Sequence, residues 1–150
     1  MNVDTAQSVN ISPEFLRAGR AIFTVANASG DHYTFRIVAA GLEEDNPRWF
    51  AQLLTGPDNE HDYTYLGCYN PATGDVRLTA ASKMPEDSQP VRVLRLACKI
   101  VRAGRPLPAG YAIRHEGRCG RCGRTLTEPR SLECGIGPEC RRKMTVFEIA

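Results

Sequence analysis

Apolar positions in the first half of the chain recur with a period of two, in short runs separated by turn residues. In residues 21–25, Phe23 and Val25 fall on one face. In residues 32–38, Tyr33, Phe35 and Ile37 alternate with His32, Thr34 and Arg36. Such alternation marks strands buried on one face only. Asn27-Ala28-Ser29-Gly30-Asp31 between the two runs is turn chemistry, so together they predict a hairpin. Further strands are expected at residues 49–55, 63–69 and 76–79. The turn Asn70-Pro71-Ala72-Thr73-Gly74-Asp75, with proline early and glycine late, joins the last two. The pattern is an antiparallel β-meander.

The period changes at Pro90. Residues 90–105, PVRVLRLACKIVRAGR, place Val93, Leu94, Leu96, Ala97, Ile100 and Val101 on one helical face. Arg92, Arg95, Lys99 and Arg102 form a narrow stripe on the other, with no acidic residue beside them on the helix. Gly104 and Pro106 end this amphipathic helix, whose apolar side is expected to pack on the sheet. A shorter helix is predicted after Ser12, with Ser12 as N-cap, Pro13 at the first position, Glu14 in the first turn and Gly19 as terminator. The fold class is α+β. A flexible tail at 1–11 precedes a body at 12–106, and a metal module fills 107–150, entered through a short linker and a brief strand at 111–114.

That module changes the picture. Four of the six cysteines, Cys119, Cys122, Cys134 and Cys140, fall within about thirty residues near the end of the chain, where C-x2-C spacing is a metal-ligand pattern. Cys119-Gly120-Arg121-Cys122-Gly123 resembles the knuckle of zinc ribbons and treble clefs, whose glycines permit tight turns around the ion. Residues 125–127 and 131–133 are expected to form a small hairpin. A helix over 139–144 places Cys140 near its N-terminus, where the helix dipole favours a thiolate. The prediction is a closed structural Zn2+ site on Cys119, Cys122, Cys134 and Cys140. The C-x5-C spacing of the last pair is wide for a treble clef, which makes His115 the alternative to Cys134. Catalytic zinc would need an open position with a nearby proton-handling group, and His115-Glu116-Gly117 lacks the deaminase spacing. No catalytic residue is assigned. Cys68 and Cys98 read as small apolar fillers, and Asp58-Asn59-Glu60-His61-Asp62 as a capped hairpin loop rather than an acid–base or metal site.

The formal net charge of +2 conceals an asymmetry. Residues 1–87 carry six Lys/Arg against twelve Asp/Glu, whereas residues 88–143 carry thirteen against four. A basic half of this kind suits a polyanion. The candidate phosphate contacts are Arg92, Arg95, Lys99 and Arg102 on the helix, with Arg118, Arg121, Arg124, Arg141, Arg142 and Lys143 around the cysteines. No recognition helix with base-reading positions is visible, so binding without sequence specificity is expected. Tyr63, Tyr65, Tyr69, Phe35 and Trp49 would offer a stacking surface only if they faced outward, and core is their commoner place. No apolar run reaches membrane-spanning length, and MNVDTAQSVN has no secretory pattern. The expected setting is therefore a reducing cytosol.

The motif C-G-R-C-G-R-x-L-T-x-P-x-S followed by G-I-G-P-E-C, over residues 119–140, resembles a zinc-finger-like C-terminal domain of unknown function found in bacteriophage, plasmid and bacterial proteins. Gly56-Pro57-Asp58-Asn59 and the run from Asp62 to Gly67 are similar to the body that accompanies it. The resemblance implies metal at Cys119, Cys122 and Cys140, with Cys134 as a local addition, and a mobile-element origin. Together these readings predict a non-catalytic, zinc-containing nucleic-acid-binding accessory protein. The alternative is a protein-interaction module, such as an inhibitor of a host defence complex.

Overall fold

A computed structural model describes residues 11–42, 46–58 and 60–142. The N-terminal tail, the acidic residues 43–45, Asn59 and residues 143–150, Lys143 among them, lie outside the described residues.

Six strands form one antiparallel sheet: β1 (Arg20–Ala26), β2 (His32–Ala40), β3 (Arg48–Leu54), β4 (Tyr63–Asn70), β5 (Asp75–Arg77) and β6 (Ala112–His115). Their order is β5-β4-β3-β2-β1-β6. The first five make the expected meander. The brief strand before the cysteines is a sixth member of the same sheet, paired antiparallel to β1 with Val25 opposite Ile113. The metal module thus leaves from a sheet edge, and its first residues are part of the body's hydrogen-bond ladder.

Alternation does what the sequence pattern predicts. Ala21, Phe23 and Val25 of β1, Phe35 and Ile37 of β2, and Ala51 and Leu53 of β3 point to one face and are buried. Register slips at Ala51/Gln52, so β4 carries a bulge that turns both Leu66 and Gly67 inward. Gly67 is needed there, since a Cβ would meet the Arg77 carbonyl at 2.5 Å. Phe23 and Phe35 stack with ring centroids 5.8 Å apart, and Phe15 adds an edge-on contact to Phe23 at 6.4 Å. Each such buried ring is worth about 1.5–3 kcal/mol from water exclusion alone.

Two helices cover this face. The short α1 (Pro13–Leu16) is capped as expected, with Ser12 Oγ accepting from Phe15 N at 3.1 Å. The long α2 (Gln89–Ala103) buries Val91, Val93, Leu94, Ala97, Cys98, Ile100 and Val101, and Gly104 closes it at φ 65°. Burial raises the Cys98 thiol to about 12, which suits the inert filler expected of it. Cys68 is only half-buried and lies 3.5 Å from Tyr65 Oη. No helix among the described residues is long and apolar enough to cross a membrane.

The cationic stripe of α2 is not unpartnered as its sequence suggests. Arg95 donates through Nε and Nη2 to the Val76 carbonyl (3.1 and 2.9 Å) and pairs with Glu86 at 3.1 Å. Lys99 pairs with Asp75, and Arg102 donates to the Ala72 carbonyl at 2.8 Å. Three of the four cations therefore bind the β4–β5 hairpin to the helix, and Arg92 stays exposed. The acidic partners come from distant chain positions, which local spacing does not reveal.

Candidate metal centre and basic sheet face

The knuckle is built from backbone. Gly123 N donates to the Cys119 carbonyl at 2.9 Å, Cys119 N to the Arg124 carbonyl at 2.8 Å, and Arg118 bridges Thr125. These bonds fold the C-x2-C loop back on itself and bring its two sulfurs to one side. Residues 138–142 are helical and bring Cys140 up from the other side. The Sγ atoms of Cys119, Cys122 and Cys140 lie within 4.8 Å of one another, so this triad is a group able to hold a metal ion. Cys119 and Cys140 are buried while Cys122 is exposed.

The donor chemistry fits a cation. Arg121 N and Gly137 N point at Cys119 Sγ from 3.4 and 3.3 Å, a pattern that favours sulfur in its thiolate form. Burial opposes ionisation of Cys119, but these amide bonds outweigh it and leave its pKa below the ordinary thiol value. Cys140 is pushed the other way, to about 12, by burial and then by the neighbouring Cys119 and Cys122. Three sulfurs this close cannot all ionise alone. A dication removes the conflict by making all three thiolates at once.

Two of the sequence-derived ligand candidates lie elsewhere. Cys134 is outside the triad: its thiol faces the carbonyls of Ile136 (3.5 Å) and Ser131 (3.8 Å), with Arg141 Nη1 at 3.9 Å. The reason is local. Residues 131–133 are not a hairpin arm but part of α3 (Pro129–Cys134), which ends at Gly135 with φ 81°. Cys134 is the last residue of that helix and turns toward its C-terminal carbonyls. Proline at the first helical position and glycine just past the end were the overlooked signal. His115 has both ring nitrogens engaged, Nε2 with the Leu132 carbonyl at 2.7 Å and Nδ1 accepting from Gly117 N at 2.8 Å.

The module is packed onto the body. Arg20 N donates to the Gly120 carbonyl at 2.6 Å, Gly120 N to the Gly135 carbonyl at 2.8 Å, and Ser12 Oγ to the Cys134 carbonyl at 3.2 Å. Leu126 and Ile136 join the same hydrophobic cluster as the sheet and α2. Of the module's cations, Arg118, Arg124 and Arg142 are exposed, Arg121 is half-buried, and Arg141 pairs with Glu128 at 3.0 Å.

The second basic feature is the sheet face turned away from the helices. The six strands contain five arginines, Arg20, Arg36, Arg48, Arg77 and Arg114, and one carboxylate, Asp75, already paired with Lys99. Register places Arg77, Cys68, Phe50, Val38 and Arg20 in one row across this face and Tyr65, Gln52, Arg36 and Ile22 in the next. Phe50 and Tyr65 are ring neighbours at 6.3 Å, and the Arg36 guanidinium lies over the Tyr63 ring at 3.9 Å. Of the five aromatics named from sequence, Tyr63 and Tyr65 face outward. Phe35 and Tyr69 are core, and Trp49 packs against the core with Nε1 donating to the Arg17 carbonyl. Phe50 had no signal beyond its parity in β3.

The loop between β3 and β4 is the capped turn expected of it. Asp58 Oδ1 accepts from Glu60 N at 2.9 Å, and Asp62 Oδ2 from Asp58 N at 2.8 Å. His61 Nδ1 lies 2.8 Å from Asp58 Oδ2.

No curated protein and no solved structure matches the chain. Residues 112–145, from β6 through the cysteine triad, match the family model of a family of unknown function (DUF6011).

Proposed function

We propose that the chain is a non-catalytic, Zn2+-stabilised nucleic-acid-binding accessory protein of a phage or other mobile element, working in the reducing cytosol of a bacterial host. It would grip a single strand on the outward face of the sheet, with the arginines of the metal module extending the contact. The observation that carries the reading is the composition of that face. Arginine and aromatic side chains share its neighbouring rows, and the one carboxylate among the described strands is neutralised. Bases stack on aromatic rings whatever their sequence, and guanidinium groups hold the phosphates between them. Arg20 lies where sheet and module meet, its guanidinium beside Gly123, so the two sets of cations adjoin. The α2 stripe contributes Arg92 at most, since its other members are held by the β4–β5 hairpin. Three cysteines in a small module suit Zn2+ among the common divalent ions. The mobile-element origin rests on the resemblance of the cysteine segment alone.

Single-stranded and duplex oligonucleotides titrated against the zinc-loaded protein at several salt concentrations test the reading. Single strands are expected to bind tighter. Phe50→Ala should lose about 1–3 kcal/mol, the usual worth of one base–aromatic stack. Arg48→Ala with Arg77→Ala should flatten the salt dependence by about 0.7 for each phosphate no longer neutralised. If every nucleic acid binds more weakly than about 10⁻⁴ M at low salt, outside even the nonspecific range, the reading fails and a protein partner becomes the better one.

A further inference from the structure

Among the described residues the metal group stops at three ligands. The two side chains best placed in sequence to complete it are occupied: Cys134 by the carbonyls at the end of α3, and His115 by Leu132 and Gly117. Tetrahedral zinc needs a fourth donor.

Beside the triad lies a cleft of about 400 Å³, and Cys122 and Cys140 are part of its wall. Leu126, Pro138, Thr125 and Thr127 give it apolar surface, and Arg124, Glu128 and Glu139 line it as charged groups, Glu128 paired with Arg141. Ser131 lines it too. That residue is 1% exposed, and its Oγ is buried without any hydrogen-bond partner. A buried hydroxyl left unpaired costs about 1–3 kcal/mol, so a cleft that offers it a partner relieves a real penalty. Missing ligand, cleft and orphaned hydroxyl occur together.

We infer that the fourth coordination position opens into this cleft and is filled from solution: by water at rest, and by a small neutral nitrogen donor of the imidazole class when one is offered. The charge of the centre selects the class. A dication with three thiolates carries net −1, while at the cleft Glu128 is offset by Arg141 and Glu139 shares the lining with Arg124, so it is the thiolates that disfavour an added anion and leave a neutral donor preferred. A flat ring fits the apolar wall. Its second nitrogen carries a proton for which Ser131 Oγ is the waiting acceptor.

The inference rests on the metal reading above, and cobalt separates the two. The full chain loaded with Co2+ has a thiolate charge-transfer band that reports metal uptake and a visible d–d band that reports the coordination shell. Imidazole is expected to shift the d–d band saturably while the charge-transfer band holds. Ser131→Ala should fold normally and weaken imidazole about fivefold, the effect of one hydrogen bond. Cys134→Ser should leave both bands in place. A d–d band insensitive to imidazole, with the charge-transfer band intact, overturns the open position. Cys134→Ser or Glu128→Gln altering the cobalt spectrum of the free protein does the same, because each would reveal a protein side chain closing the shell. A chain that takes up no cobalt at all overturns the metal reading itself, and the inference with it.

Discussion

Replacing Phe15 by alanine should uncouple the metal module from the body. The ring is fully buried and touches three parts of the molecule: Phe23 in β1 at 6.4 Å, His115 at the end of β6 at 5.9 Å, and the module backbone. A Cβ built on Gly120 or on Gly135 would lie 2.5 Å from Phe15 Cδ1, so the ring already fills the space against both glycines. These two are hydrogen-bonded to each other, and Gly120 is bonded to Arg20 as well. Their backbone cannot easily collapse into a void. Phe→Ala substitutions cost about 3–5 kcal/mol, and a site walled by fixed backbone belongs in the upper part of that range, about 4 kcal/mol. Gly135→Ala probes the same contact from the other side. It adds a methyl against the ring, about 1–3 kcal/mol, in a left-handed conformation that costs about 1 kcal/mol more. Urea unfolding of the zinc-loaded and chelated chains measures both. Since whole domains hold about 5–15 kcal/mol, a loss of about 4 kcal/mol should move the unfolding midpoint of chelated Phe15→Ala to much lower urea. Excess zinc should restore it in proportion to RT ln(1 + [Zn]/Kd), about 4 kcal/mol at a thousandfold excess over Kd. A loss below about 1 kcal/mol, or a variant that gains nothing from zinc, refutes the coupling.

Two further predictions concern exposed charge. His61 should titrate above the ordinary histidine value, because the hydrogen bond and charge of Asp58 favour its protonated form. The sign follows: the pair stabilises below the unfolded histidine pKa, and that contribution is lost as pH rises through the raised folded value. Both groups are exposed, so salt should shrink the shift, and Asp58→Asn should move His61 toward the ordinary value in an NMR titration, Glu60 and Asp62 still raising it; a titration unmoved by Asp58→Asn contradicts the assignment. Arg95→Ala should lower stability by about 1–2 kcal/mol through loss of its bonds to the Val76 carbonyl and leave nucleic-acid affinity unchanged. A large affinity loss at unaltered stability would return the α2 stripe to the binding surface.

The meander, the amphipathic helix and the cysteine knuckle were legible because each rests on local periodicity or spacing. Phe23, Val25, Phe35 and Ile37 alternate in sequence and in space, and Gly104 ends its helix as its position implies. What misled were pairings decided by distant chain and, at Cys134, a short helix left unread. Lys99 looks unpaired on its helix, but Asp75, twenty-four positions away, is across from it. The short strand before the cysteines says nothing of which edge it joins. Cys134 has a ligand's identity and spacing, yet α3 turns its thiol to the Ile136 carbonyl.

The charge asymmetry is the more instructive case. Counted along the chain, the first half is acidic and would be set aside as a polyanion surface. In three dimensions its described carboxylates lie in loops, in α1 and at the β5 end, while four of the five strand arginines come from that same half. A strand has only two faces, and the inward one is closed to charge by the core, so every arginine of the sheet is driven to the same outward side. Loops are under no such constraint and scatter their acids around the rim. Net charge per segment therefore hides the basic sheet face, whereas charge sorted by strand parity reveals it. The cysteine triad adjoins this layout at Arg20. Its amide holds the Gly120 carbonyl of the knuckle, and its side chain belongs to the outward row of the sheet. The cysteine triad thus adjoins the start of β1 and the cation at one end of this outward row, so a metal that ordered the triad would bear on the proposed binding face.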